Sequence, residues 1–175
     1  TQLSNMGNTQ VAQLTSLQVA ALTTGQLKSL SSGQVAALTS AQLNALTSAQ
    51  LPSLSSTQVR ALTTDQLSKL TTTQIAGLST AQVAALSTGQ VAALTSVQLN
   101  AMASDDLKAL TTAQVRALTS DQLSKLSSDQ VALMATDDIA AISSAQISHL
   151  STGAIGALTT AQAKALTTAA INALT

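Results

Sequence analysis

Leu62–Leu70 reads LTTDQLSKL, and Leu86–Leu94 reads LSTGQVAAL. In each, a hydroxyl residue is followed three positions later by Gln, the signature of a reciprocal helix cap. The hydroxyl of Thr63 or Ser87 accepts the backbone N–H at the Gln position. The side chain of Gln66 or Gln90 reaches back to the N–H of the capping residue. The apolar residue before the cap (Leu62, Leu86) and the one after the Gln (Leu67, Val91) stand where a hydrophobic staple closes over the helix start. Thr111 and Gln114, between Leu110 and Val115, repeat the arrangement.

Outward from these stretches the same unit fills the chain. From Gly7 to Leu174 it divides into 21 consecutive octads without insertion or deletion. Residues 1–6 are the tail of a further octad and Thr175 begins another, so residues 1–175 form a single repeat domain, expected to be an excerpt of a longer array. Positions one and two are mostly Ser or Thr. Position four is Gln in 17 octads, Asp in two (Asp106, Asp138) and Ala in two (Ala154, Ala170), and positions five and eight are apolar throughout. Variation gathers at positions three, six and seven, the expected solvent face. A longer period lies on top: SSTQVRALTTDQLSKL at Ser55 returns, seven octads on, as TTAQVRALTSDQLSKL at Thr111. A block of seven octads was duplicated, a length that also suits whole turns of a superhelix.

The charges follow the same grammar. Asp65, Asp105, Asp121, Asp129 and Asp137 fall in the first turn; Lys28, Arg60, Lys108, Arg116 and Lys164 fall near the end, as the helix dipole favours. Asp65–Lys69 and Asp121–Lys125 have i,i+4 spacing. One continuous helix is excluded, because eight residues at about 100° each drift roughly 80° per octad and would wind the apolar stripe around the rod. A β-solenoid, the other candidate, needs sustained alternation, whereas these apolar spacings are five and three. The fold expected is all-α: a tight α-solenoid, or superhelix, of very short capped helices, one per eight-residue repeat. Such helices of about six residues, roughly 9 Å, do not persist alone in water. Their partners are the neighbouring repeats of the same chain, at three to four octads per coil. The Gln residues near the apolar face are expected to form an internal ladder of amides. Pro52 removes a helical donor to Ser48 and should tighten or kink its octad.

Composition narrows the function. Apolar residues make up 45%, charged residues only 8%, and there is no Phe, Trp or Tyr, so the chain folds around aliphatic side chains rather than remaining disordered. Net charge is zero, with seven basic and seven acidic residues, which offers nucleic acid neither a basic face nor stacking rings. No apolar run suits membrane insertion. The absence of cysteine excludes disulfides and thiol chemistry. His149, the single histidine, lacks a nucleophile or co-ligands and reads as a solvated side chain. Catalytic and cofactor-binding residues are expected to be absent, and the chain is read as no enzyme. The one metal candidate is the acidic set Asp105, Asp106, Asp137 and Asp138, two pairs four octads apart that a four-octad coil would bring together around Ca²⁺; first-turn acids are the plainer reading. In both of these octads position one is Ala (Ala103, Ala135), so Ser104 and Thr136 are expected to take over as caps. The rows of hydroxyls are also compatible with O-linked sugar or an ordered lattice facing ice.

The units STAQVAAL at Ser79 and STGQVAAL at Ser87 resemble the octapeptide arrays of very large bacterial secreted or cell-surface proteins, many of them adhesin-like. The resemblance implies a structural spacer or stalk in an extracellular protein, its ends able to self-associate end to end. The competing expectation is a solenoid that binds a peptide, glycan or Ca²⁺ on its outer surface. The capped-helix reading predicts a helical far-ultraviolet circular dichroism spectrum; a strand-dominated one would reject it.

Overall fold

Each octad spends up to six residues on a helix and joins it to the next through two extended residues. At the cap, position one is extended, as at Thr63 (φ −72, ψ 159) and Ser87 (φ −72, ψ 159). At the other end, position eight returns to extended backbone, as at Leu38 (φ −61, ψ 138) and Leu94 (φ −60, ψ 139). Two consecutive extended residues therefore turn the chain between helices. No described residue, glycine or otherwise, has positive φ, so the joint needs no special residue and Leu followed by Ser or Thr can be repeated indefinitely. The first helical bond runs from the N–H of position five to the carbonyl of position one (Leu67 to Thr63, 3.0 Å), and the last, tighter one from position eight to position five (Leu70 to Leu67, 3.2 Å).

The computed structural model describes residues 2–174; Thr1 and Thr175 lie outside the described residues. Among these there are 20 α-helices of four to six residues, two 3₁₀ segments (Gln2–Asn5 and Leu51–Ser53) and no strand. The second 3₁₀ segment is the octad of Pro52, tightened as its missing N–H requires. The remaining octads are α-helical in register.

Helices pack on those three octads away in the chain: Ser56–Ala61 on Thr80–Ala85, Thr64–Ser68 on Thr88–Ala93, Thr136–Ala141 on Thr160–Ala165. The chain is an α-solenoid. Its interior is one continuous aliphatic column. Position five is fully buried in nearly every octad (Leu27, Val35, Leu43, Leu67, Ile75, Leu99 at 0% exposure) and position eight nearly so (Leu30, Leu38, Leu62, Leu94 at 2–4%). Positions one and three face solvent and six and seven are exposed or half-buried, which places the variable positions outside, together with the cap hydroxyl. The surface pairs are weak features: Asp65–Lys69 closes at 2.8 Å and Asp105–Lys108 at 3.5 Å, while the expected Asp121–Lys125 pair does not close, as exposed pairs contribute little.

Burial at position five carries most of the stabilisation available to so small a unit. Leu67→Ala is expected to cost about 2–5 kcal/mol through lost transfer energy and the cavity left behind, whereas Leu17→Ala, at a side chain 83% exposed, leaves thermal unfolding unchanged within experimental error. Equal losses in both variants would contradict the assigned interior.

Candidate functional site

The repeated feature with chemistry in it is the Gln side chain at position four. Its backbone N–H is donated to the cap hydroxyl, and its Oε1 accepts the cap N–H. At the residues singled out from sequence these distances are 3.1 and 2.7 Å for Thr63 and Gln66, 3.2 and 2.8 Å for Ser87 and Gln90, and 3.3 and 2.7 Å for Thr111 and Gln114. The reciprocal cap forms at 15 helices of the array. At Gly7 and Thr47 only the half made by Gln10 or Gln50 is present, at 2.7 Å in both.

The other half of the carboxamide was not legible. The amides do not form a ladder with one another, as expected from sequence. Each Nε2 instead donates to backbone carbonyls at the C-terminal end of the helix four octads earlier. Gln58 reaches the carbonyls of Leu27 (2.9 Å) and Leu30 (2.8 Å); Gln98 reaches Leu67 (3.0 Å), Ser68 (3.2 Å) and Leu70 (2.7 Å); Gln114 reaches Val83 (3.0 Å) and Leu86 (2.8 Å). The physical reason is that a helix end leaves carbonyls without partners, and these acceptors outcompete another amide already committed through its own oxygen. One side chain thus satisfies the start of its own helix and the end of the helix beneath. Every Gln that has an octad four units earlier in the described chain makes the bond, from Gln34 (to Met6, 2.7 Å) to Gln162 (to Val131, 3.0 Å). Gln10, Gln18 and Gln26 have none and are exposed or half-buried, while Gln34, Gln66, Gln90 and Gln114 are 2–5% exposed.

This seam fixes the coil. Each Gln stands three and a half octads from the position-eight carbonyl it meets, as Gln58 does from Leu30 and Gln98 from Leu70. Packed helices lie three octads apart, so one turn takes about three and a half octads, within the three to four expected. The seven-octad duplication is then two turns. Matching contacts recur at that spacing: Asn44 Nδ2 donates to the Lys69 carbonyl at 3.0 Å, and Asn100 Nδ2 to the Lys125 carbonyl at 2.8 Å.

Four octads depart from the rule. Ala154 and Ala170 are fully buried, and their N–H groups still reach the hydroxyls of Ser151 and Thr167 at 3.1 Å. In the Asp octads, Ser104 and Thr136 do not take over the cap. The helices begin at Ser104 and Thr136 with Ala103 and Ala135 as caps that make no side-chain bond. Shifting the start by one residue would rotate Leu107 and Ile139 out of the interior by about 100°. Asp106 and Asp138 are buried at 4% exposure, whereas Asp105 and Asp137 face solvent. Among the described residues no three His, Asp or Glu side chains gather as a metal-binding group, so the four acids do not assemble into one cluster. His149 is exposed.

A family model for the ALTTAQ repeat matches the chain over residues 11–48, 19–56, 35–72, 48–80, 67–96, 99–136 and 131–168. The string itself stands at Ala109–Gln114 and Ala157–Gln162, where it spans the end of one octad, the joint, the cap and the bridging Gln. Neither the curated proteins nor the solved structures compared with the chain contain a match.

The seam predicts an asymmetric mutational result. Gln66→Glu keeps the acceptor for Thr63 but replaces the donor by a buried charge facing carbonyls, and is expected to cost about 2–4 kcal/mol in chemical denaturation at neutral pH. The same change at Gln26, which makes no such bond among the described residues, is expected in the 175-residue chain to be neutral or slightly stabilising, as an acid in the first turn.

Proposed function

This chain belongs to the ALTTAQ repeat family, and from that premise we propose that it is a structural spacer, a stalk segment within a large bacterial extracellular or cell-surface protein of adhesin-like build, without catalysis or cofactor. The observation that carries the reading is the uniformity of the seam. Fourteen glutamines repeat one cross-turn stitch, each to the helix end four octads earlier. Each octad therefore contacts only octads nearby in the chain, and length is set by the number of repeats. With helices stacked about 9 Å apart, the 21 octads make about six turns and a rod of roughly 50 Å. Outside the last two octads the side chains at positions five and eight are consumed by stacking, and the outward positions are mostly small and polar.

The competing reading, an outer-surface binder for a peptide, glycan or Ca²⁺, requires a patch that differs from its surroundings. An ordered hydroxyl lattice facing ice is disfavoured by the pitch. At three and a half octads per turn, consecutive cap hydroxyls are spread around the rod and return to the same line only every second turn.

Small-angle scattering on arrays from which one seven-octad block has been deleted, or to which one has been added, tests the spacer. Maximum dimension should change by roughly 20 Å per block. A length that stays constant, or saturable binding of a glycan, a peptide or Ca²⁺ at one defined patch, would reject a pure spacer.

A further inference from the structure

We propose that Asp106 and Asp138 are acid-set stitches of the solenoid: as neutral carboxylic acids they stand in for the glutamine amide and hold their turns together, and as carboxylates they loosen them. Both occupy position four, where fourteen other octads place an N–H donor over the carbonyls of the helix four octads earlier, as at Gln58, Gln98, Gln114 and Gln162. The offsets of 31, 30 and 28 residues at which Gln98 meets its carbonyls correspond to Ile75, Ala76 and Leu78 for Asp106 and to Leu107, Lys108 and Leu110 for Asp138. Toward carbonyl oxygens an ionised carboxylate offers only repulsion, whereas a protonated one has an O–H to donate. Both side chains are 4% exposed, so water does not freely take over.

The surroundings agree on direction. Burial pushes both carboxyls up from their ordinary value, and the negative neighbours Asp105 and Asp137 push the same way. Two hydrogen bonds act against this and are outweighed: the Ala103 N–H donates to Asp106, and the Thr112 hydroxyl to Asp138 at 3.0 Å. Around Asp106, the packed helix Thr80–Ala85 carries no titratable group and Ser128–Leu133 carries only Asp129. The octad beneath, 71–78, carries none, and the flanking octads contribute only Arg116. Around Asp138, the packed helices Thr112–Arg116 and Thr160–Ala165 carry Arg116 and Lys164. The octad beneath carries Asp105, Asp106 and Lys108, and the flanking octads carry Asp129 and His149. Arg116, Lys164 and Lys108 are exposed, and Lys108 is paired with Asp105; solvent screens them from the buried acids.

A carboxyl whose proton is held more tightly in the folded chain than in the unfolded one stabilises the fold fully below the unfolded pKa. That stability is lost as pH rises through the folded pKa. The two Asp turns are therefore firmest in acid and slacken toward neutrality, while the Gln turns are indifferent to pH.

The test is thermal unfolding of the 175-residue chain between about pH 4 and pH 7, compared with Asp106→Gln/Asp138→Gln and Asp106→Asn/Asp138→Asn. The first variant restores the majority side chain and the second keeps the length of Asp with a permanent donor, so both are expected to fold. The wild-type midpoint should fall by roughly 3–6 °C more than that of either variant over this range, and the Gln variant should be the most stable of the three at neutral pH. Parallel pH profiles in all three proteins would overturn the proposal, as would carboxyl carbon resonances of Asp106 and Asp138 that titrate in the ordinary range. Recovery of the neutral-pH midpoint by Ca²⁺ alone, lost in the Gln variant, would also overturn it by giving the role to a bound cation.

Discussion

A helix of five or six residues has almost no interior. Its first four N–H groups and last four carbonyls lack partners, so nearly all of its backbone is unsatisfied once it is buried. The glutamine carboxamide answers that constraint by carrying an acceptor and a donor side by side on one rigid plane. Oε1 takes the N–H at the start of its own helix while Nε2 fills carbonyls at the end of a helix one turn away, as Gln58 does between Ser55 and Leu30. Remove either function and one helix end loses a partner; remove both and two do. That double duty explains why the position is Gln rather than Glu, which makes an equally good capping box but cannot donate.

The seam and the aliphatic column constrain one another. Leu67 and Leu70 point inward only if the helix begins at Thr64, and Gln66 reaches the Leu38 carbonyl only if the turn closes at three and a half octads. A joint built from two extended residues, without positive φ, sets the angle between helices identically each time. The array is thus periodic because its local geometry is, and one octad can differ without disturbing the next, as the Pro52 octad does. Its 3₁₀ turn still presents the Pro52 carbonyl to Gln82 at 3.2 Å.

The departures divide the capping machinery into separable parts. Ser151 and Thr167 cap Ala154 and Ala170 without any amide above them, and Asp106 takes the Ala103 N–H without a cap hydroxyl. All four octads fold in register. In the Asp octads the buried Leu107 and Ile139 hold the helix in place, whereas in the Ala octads Ile155 is half-buried and Ile171 is 48% exposed, and the buried side chain is the position-four Ala itself.

From the sequence alone came the period, the Ser or Thr cap (which fails at Thr47), the staple, the inward positions and the all-helical class. Each of these is decided within eight residues, by spacing against the α-helical turn and by which side chain can reach which N–H. The tightening at Pro52 was equally local. The destination of the Nε2 donor was not legible, because its acceptors are main-chain carbonyls, which every residue carries and no sequence marks. The same blindness produced the expected amide ladder, whereas the expected shift of cap to Ser104 and Thr136 failed because it would turn Leu107 and Ile139 out of the interior. Only the stacked solenoid, with helix ends brought over helix starts four octads later, decides that Gln66 meets Ala36 and Leu38 and that Asp106 and Asp138 are buried while Asp105 and Asp137 are not. Partners distant in the chain are chosen by the pitch, and the pitch belongs to the packed whole rather than to any octad.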